Sequence, residues 1–188
     1  MDKIRFMKKH LLILVAILAF NVAHSQIFMD KKGIIHFLSK ATLEDIEATS
    51  KTAVVVIDGA TGNVQVQAQI KAFKFSSSFM EEHFNENYME SEKYPFSTFK
   101  GKINEKIDYT KNAEHKVTCT GKMEMHGVTQ EVTIPGTLKI SGNEIILESS
   151  FKIKPADYKI KIEGAYAEKI AKEICVDIKS VLVPFKKP

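Results

Sequence analysis

Residues 62–72 read GNVQVQAQIKA, in which Val64, Val66, Ala68, Ile70 and Ala72 alternate with polar residues. Period-2 alternation marks a strand with one face in a core and the other in water. Just downstream the phase changes, because Phe73, Phe75 and Phe79 are odd-numbered. A one-residue slip between Ala72 and Phe73 predicts a β-bulge, which would bend the strand and re-aim its side chains.

Further strand patterns cover 34–38, 53–57, 96–108, 115–125, 128–140, 144–153 and 173–183. The pieces KVTCTGKMEM and VTQEVTIPGTLKI meet at His126-Gly127, which predicts a tight hairpin, and Ser141-Gly142-Asn143 predicts a second. Helical signals are short. Thr42 followed by Glu44 and Asp45 predicts a turn or two over 41–48, and 165–173 has helix-forming composition. In 79–88, Phe79, His83 or Phe84, and Asn87 or Tyr88 recur at helical spacing. That segment must stop before Pro95, since the residue preceding a proline is pushed out of the helical region. No internal repeat or linker interrupts the pattern.

About eight strands with one to three short helices predict an antiparallel all-β sandwich or closed barrel. An eight-stranded barrel either fills with side chains or holds one small ligand. Twelve Phe, seven Met and no Trp suit an apolar cavity, and they suit an ordinary core equally well.

The first 25 residues read as a signal peptide. Lys3, Arg5, Lys8 and Lys9 precede an apolar run over 11–20, and Ala23 and Ser25 fall at −3 and −1 of a cut before Gln26. The run is well short of the roughly 20 residues that span a bilayer. A periplasmic or secreted protein without a membrane span is expected, with 26–188 forming a single domain. Residues 1–25 hold four bases and one acid, +3 of the chain's +4, so the remainder carries about +1. That balance argues against nucleic-acid binding. Strand parity sets Cys119 with Val117, Met123 and Met125, but Cys175 with Asp177 and Lys179. The mismatch disfavours a disulfide.

Chemistry could reside in MEEHFNENYMESEKYPFSTFKG, 80–101, which sets His83 among Glu81, Glu82, Glu86, Glu90 and Glu92. Such carboxylates also describe a solvated helix face, with Phe79, Phe84 and Tyr88 on the inner side. His83 is either structural, bonding backbone where the segment meets the sheet, or a contact for a ligand's head group. Met123, Met125 and His126 hold soft-metal donors, but at spacing poor for convergence. No CxxC, HxH, HExxH, nucleophile elbow, P-loop or dinucleotide fingerprint occurs. No enzyme activity, metal or cofactor is expected.

Several pieces in order carry a resemblance: His83-Phe84, Lys93-Tyr94-Pro95 with Phe99, Gly121 with His126-Gly127-Val128-Thr129, and Asp157-Tyr158 with Ile160. Over most of 30–185 the chain resembles the YceI-like proteins, which are exported lipocalin-like barrels associated with polyisoprenoids and other amphiphiles. Met80-Glu81 stands where the better-known members carry an Arg-Asp pair. The resemblance implies a barrel of about eight antiparallel strands holding a polyisoprenoid or fatty lipid. Its cavity would be lined by Phe73, Phe75, Phe79, Phe84, Tyr88, Phe96, Phe99, Met123 and Met125. The alternative is a structural or stress-related envelope protein with a filled barrel. A homodimer is left open.

Overall fold

The computed structural model describes residues 26–41, 44–162, 164 and 168–185. The alternation around Val64 becomes a strand whose Val64 and Ala68 are buried while Asn63, Gln65 and Gln67 face water. Nine strands form among the described residues: β1 (Ile27–Lys40), β2 (Asp45–Asp58), β3 (Asn63–Gln69), β4 (Lys74–Phe75), β5 (Phe96–Ile103), β6 (Ala113–Met125), β7 (Val128–Ser141), β8 (Glu144–Ile153) and β9 (Ile174–Pro184). Eight of them pair antiparallel in the ring β1-β9-β8-β7-β6-β5-β3-β2, and β1 pairs again with β2 to close a barrel. The two-residue β4 is a short annex on β2. Closure gives each long strand a hydrogen-bonded neighbour on both sides over at least part of its length, so no strand is a free sheet edge from end to end.

The phase change after Ala72 is real, but its device differs from the expected bulge. Strand β3 ends at Gln69, and Ile70–Ala72 form a 3-10 turn. The Ile70 N–H donates to the Pro95 carbonyl at 2.9 Å and the Phe73 N–H to the Ile70 carbonyl at 3.2 Å. Residues three apart eclipse on such a turn, so Ile70 and Phe73 both enter the core, at 2% and 6% exposed.

The helix expected over 41–48 is not formed at its C-terminal half: Asp45, Ile46, Glu47 and Ala48 belong to β2, paired with Lys40, Ser39, Leu38 and Phe37. Ladder bonds and the burial of Ala48 override local propensity here; Thr42 and Leu43 lie outside the described residues. Of the 165–173 helix, 165–167 lie outside the described residues, and 168–173 form turns and bends before β9. The 96–108 strand stops at Ile103. Beyond it, Glu105 accepts hydrogen bonds from the Thr118 N–H at 2.9 Å and hydroxyl at 3.0 Å, pinning the loop to β6. The 79–88 segment is helical, as α1 (Ser78–His83) followed by a π-helical turn (Phe84–Tyr88).

At the His126-Gly127 hairpin both residues have positive φ, 51° and 71°. That twist suits a two-residue antiparallel connection. A Cβ on Gly127 would also lie 2.6 Å from the Tyr94 ring, so glycine is required twice over.

The two ends of the barrel differ. The end bearing the β2–β3 and β7–β8 hairpins is solid, with Phe28, Val55, Ile57, Leu138, Ile145 and Leu182 in one buried cluster. Tyr109 from the β5–β6 loop covers it, its ring 5.7 Å from that of Phe28, and burial pushes its hydroxyl up to about 12. The opposite end receives α1, the β6–β7 hairpin and the long β8–β9 connection.

Candidate functional site

Strand parity aims one set of side chains from every wall into the barrel. Above the solid end they do not meet, leaving a cavity of about 360 Å³. The size lies near the lower end of small-molecule sites, roughly 300–1,000 Å³. Phe37, Val66, Phe99, Met123, Phe151 and Val176 represent six of its walls.

One side is built of four rings. Phe84, from the π-helical turn, lies 5.5 Å from Phe37, 5.9 Å from Phe73 and 5.1 Å from Phe75 between ring centroids. The helix that delivers Phe84 is anchored by Glu81. Its carboxylate accepts a hydrogen bond from Lys74 Nζ at 2.5 Å and faces the Phe75 N–H at 3.4 Å. The Lys74 hydrogen bond holds the Glu81 carboxyl below the usual carboxylate value. This glutamate is a tether between α1 and β4, whereas Glu82 and Glu86 face solvent.

The cavity reaches the surface beside α1. Phe79 lines it while remaining 57% exposed, and its ring packs 4.3 Å from that of His83. Glu44 and Lys169 complete this polar rim. The Ser39 hydroxyl accepts the Ala171 N–H at 2.9 Å, which holds the segment before β9 across the opening.

Of the residues expected at a cavity, Phe73, Phe75, Phe79, Phe84, Tyr88, Phe99, Met123 and Met125 line it, and so does His83. Phe96 does not. It is even-numbered in β5, opposite in parity to the buried Phe99 and Ile103, and it stands 46% exposed on the outer face. The lining residues Phe37, Phe151 and Ile153 were not anticipated, although each shares strand parity with a buried neighbour.

His126 bonds backbone at this end. Its Nδ1 lies 3.1 Å from the Tyr158 carbonyl oxygen and its Nε2 2.7 Å from Glu90 Oε2. Only 11% of the side chain is exposed, and the Tyr94 ring packs edge-on at 4.8 Å. Both ring nitrogens are thereby engaged, so His126 does not join Met123 and Met125 as a donor. Among the described residues, no three His, Cys, Asp or Glu side chains converge as metal ligands. Cys119 lines the cavity, but burial pushes its thiol up to about 11. It is a thiol rather than a nucleophilic thiolate at neutral pH. Cys119 and Cys175 are both free.

The model of the YceI-like domain matches residues 18–182. Comparison with curated proteins finds no match. Among solved structures, a polyisoprenoid-binding domain from Saccharophagus degradans implicated in plant cell wall breakdown aligns with TM-score 0.73 at 15% identity, over 86% of this chain and 99% of that one. BcnA of Burkholderia cenocepacia aligns with TM-score 0.67 at 20% identity, over 81% and 96%. A YceI protein of Campylobacter jejuni aligns with TM-score 0.57 at 22% identity, over 90% and 93%. At these identities the likeness is one of fold.

Proposed function

Because the chain belongs to the YceI-like family, we propose that it is an exported, non-catalytic carrier that holds an apolar or amphiphilic lipid, a polyisoprenoid or a fatty chain, inside the barrel. The observation that carries this reading is the apolar cavity opening beside Phe79, with its polar groups His83, Glu44 and Lys169 at the rim. A hydrocarbon chain there is held by removal from water alone. At about 0.8 kcal/mol per buried CH₂, a five-carbon isoprene unit contributes up to roughly 4 kcal/mol. Association costs at least about 4 kcal/mol. Roughly three buried units are then needed for micromolar affinity, which corresponds to about 8 kcal/mol. The rim residues would meet the head group and set preference more than strength.

The reading includes cleavage before Gln26 and release of residues 26–188 into the periplasm or medium. The test is to purify the protein from the exported fraction without detergent, record native mass spectra and extract with organic solvent. A non-covalent adduct that solvent removes, on a chain beginning at Gln26, is the expected result. A protein without adduct that also fails to take up the fluorescent fatty acid cis-parinaric acid would refute the carrier and leave a structural barrel.

A further inference from the structure

The barrel wall is not uniformly sealed. Strands β6 and β7 pair without interruption from Ala113↔Ile140 to Met125↔Val128, and β8 and β9 from Ile145↔Leu182 to Ile153↔Ile174. Between them, β7 and β8 pair only from Thr137↔Glu148 to Ser141↔Glu144. Residues 128–136 and 149–153 keep their outer ladders but form no ladder with each other. The upper stretch of the resulting gap is filled, because Tyr158 and Ile160 pack among Val128, Val132, Ile134, Phe151 and Ile153.

Directly above the last paired residues the two strands touch without a ladder: a Cβ on Gly136 would lie 3.1 Å from the Glu148 carbonyl oxygen and 3.7 Å from Ser149 Cβ. Pro135 has no N–H to offer β8, and Gly136 has no side chain. The Ser149 hydroxyl bridges the seam by donating to the Pro135 carbonyl at 2.6 Å. On the outer surface at this point lies a groove of about 800 Å³. Val117, Pro135, Gly136, Ser149 and Ile178 border both this groove and the inner cavity. The outer rim of the groove is charged, with Lys179 Nζ 2.8 Å from Glu148 Oε1, and with Lys116 and Asp177 nearby in the wall.

We infer that the seam at Pro135, Gly136 and Ser149, closed by side-chain contacts and not by a ladder, parts to give the cavity a second opening, a side port that admits the chain of a single-chain amphiphile while its polar end stays in the outer groove. An apolar chain meets its first buried surface through the side wall, at a place where one side-chain hydrogen bond stands in for a ladder. A polar end has charged and hydroxyl partners in the groove and no reason to follow the chain inward. This inference rests on the carrier reading, since a port has meaning only if the cavity is loaded.

The seam can be locked. A Cβ built on Gly136 lies 3.7 Å from Ser149 Cβ, within the roughly 3.5–4.5 Å that a disulfide needs. The pair Gly136→Cys/Ser149→Cys would be made in a Cys119→Ala/Cys175→Ala background to prevent wrong pairing. Uptake of cis-parinaric acid is followed by stopped-flow fluorescence with the same protein oxidised and reduced. A side port requires the oxidised form to load at least tenfold more slowly, with reduction restoring the rate. Equal loading rates in the two states would overturn it. Ser149→Ala provides an independent arm: loss of the bridge should accelerate loading relative to the unmodified protein, and an unchanged rate would count against the port. If the unmodified protein takes up no probe, the carrier reading fails and the port fails with it.

Discussion

Phe84→Ala tests the cavity wall and the stability of the barrel in one change. The ring is half-buried and is wedged among Phe37, Phe73 and Phe75 at centroid distances of 5.5, 5.9 and 5.1 Å. Truncating a fully buried Phe to Ala costs roughly 3–5 kcal/mol through lost burial and the cavity left behind. Phe84 keeps some contact with water and sits beside space that already exists, so about 2–3 kcal/mol is expected. For a domain of this size each kcal/mol lowers Tm by roughly 2–4 °C, giving a shift of about 4–12 °C. Equilibrium urea unfolding measures this directly. A double-mutant cycle with Phe37→Ala should return a coupling of about 0.5–1.5 kcal/mol, the usual size for an aromatic pair beyond its area. For binding, loss of the ring leaves lipid unsupported on one side, and cis-parinaric acid affinity should fall about tenfold, near 1.4 kcal/mol. A stability change below about 0.5 kcal/mol, or zero coupling with Phe37, would refute the wedge. Stability lost at unchanged affinity would mean that the four rings are core and the ligand lies elsewhere.

The exposed carboxylates should behave differently: Glu82→Gln and Glu86→Gln each alter unfolding free energy by no more than about 0.5 kcal/mol and leave lipid affinity unchanged in the same titration. For His126, replacement by Ala removes the bonds to Tyr158 and Glu90 and keeps a Cβ at φ 51°. A loss of about 2–3 kcal/mol by urea unfolding is expected, with His126→Gly losing less because it relieves the left-handed backbone. The hydrogen bond from Lys74 holds the folded-state pKa of Glu81 below the usual carboxylate value. Its contribution is therefore complete above about that value and disappears as pH falls through the lower folded-state pKa. Glu81→Gln should flatten this part of the acid limb in a stability-versus-pH series, and an unaltered limb would remove Glu81 as the tether of α1.

Much of the barrel was legible one residue at a time. Alternation in β3, the paired patterns of β6 and β7, and the glycine after His126 all report rules that act between neighbours in the chain. The inward placement of Phe99, Met123 and Met125 follows from the same parity. Phe96, expected in the cavity for its ring, stands outside because its parity is opposite to that of Phe99, which the alternation itself records. The acidic face of α1 and the π-helical turn after it was also readable, in that Glu82 and Glu86 are exposed while Phe84 turns inward.

Other features could not be read locally because they depend on what lies opposite. The helical signal over 41–48 gave way, from Asp45 on, to a ladder with β1, a choice that weighs local propensity against bonds to another strand. That His126 bonds backbone depends on the Tyr158 carbonyl, 32 residues beyond it in the chain. The sequence by itself determined the strands, their facing sides and the apolar character of what they enclose, since pleat and periodicity are short-range. Only the tertiary structure decided that one end is solid and the other holds a cavity, and that the ladder between β7 and β8 ends at Thr137. A cavity is a place where distant elements do not meet, a seam one where they meet without a ladder, and no local pattern records either.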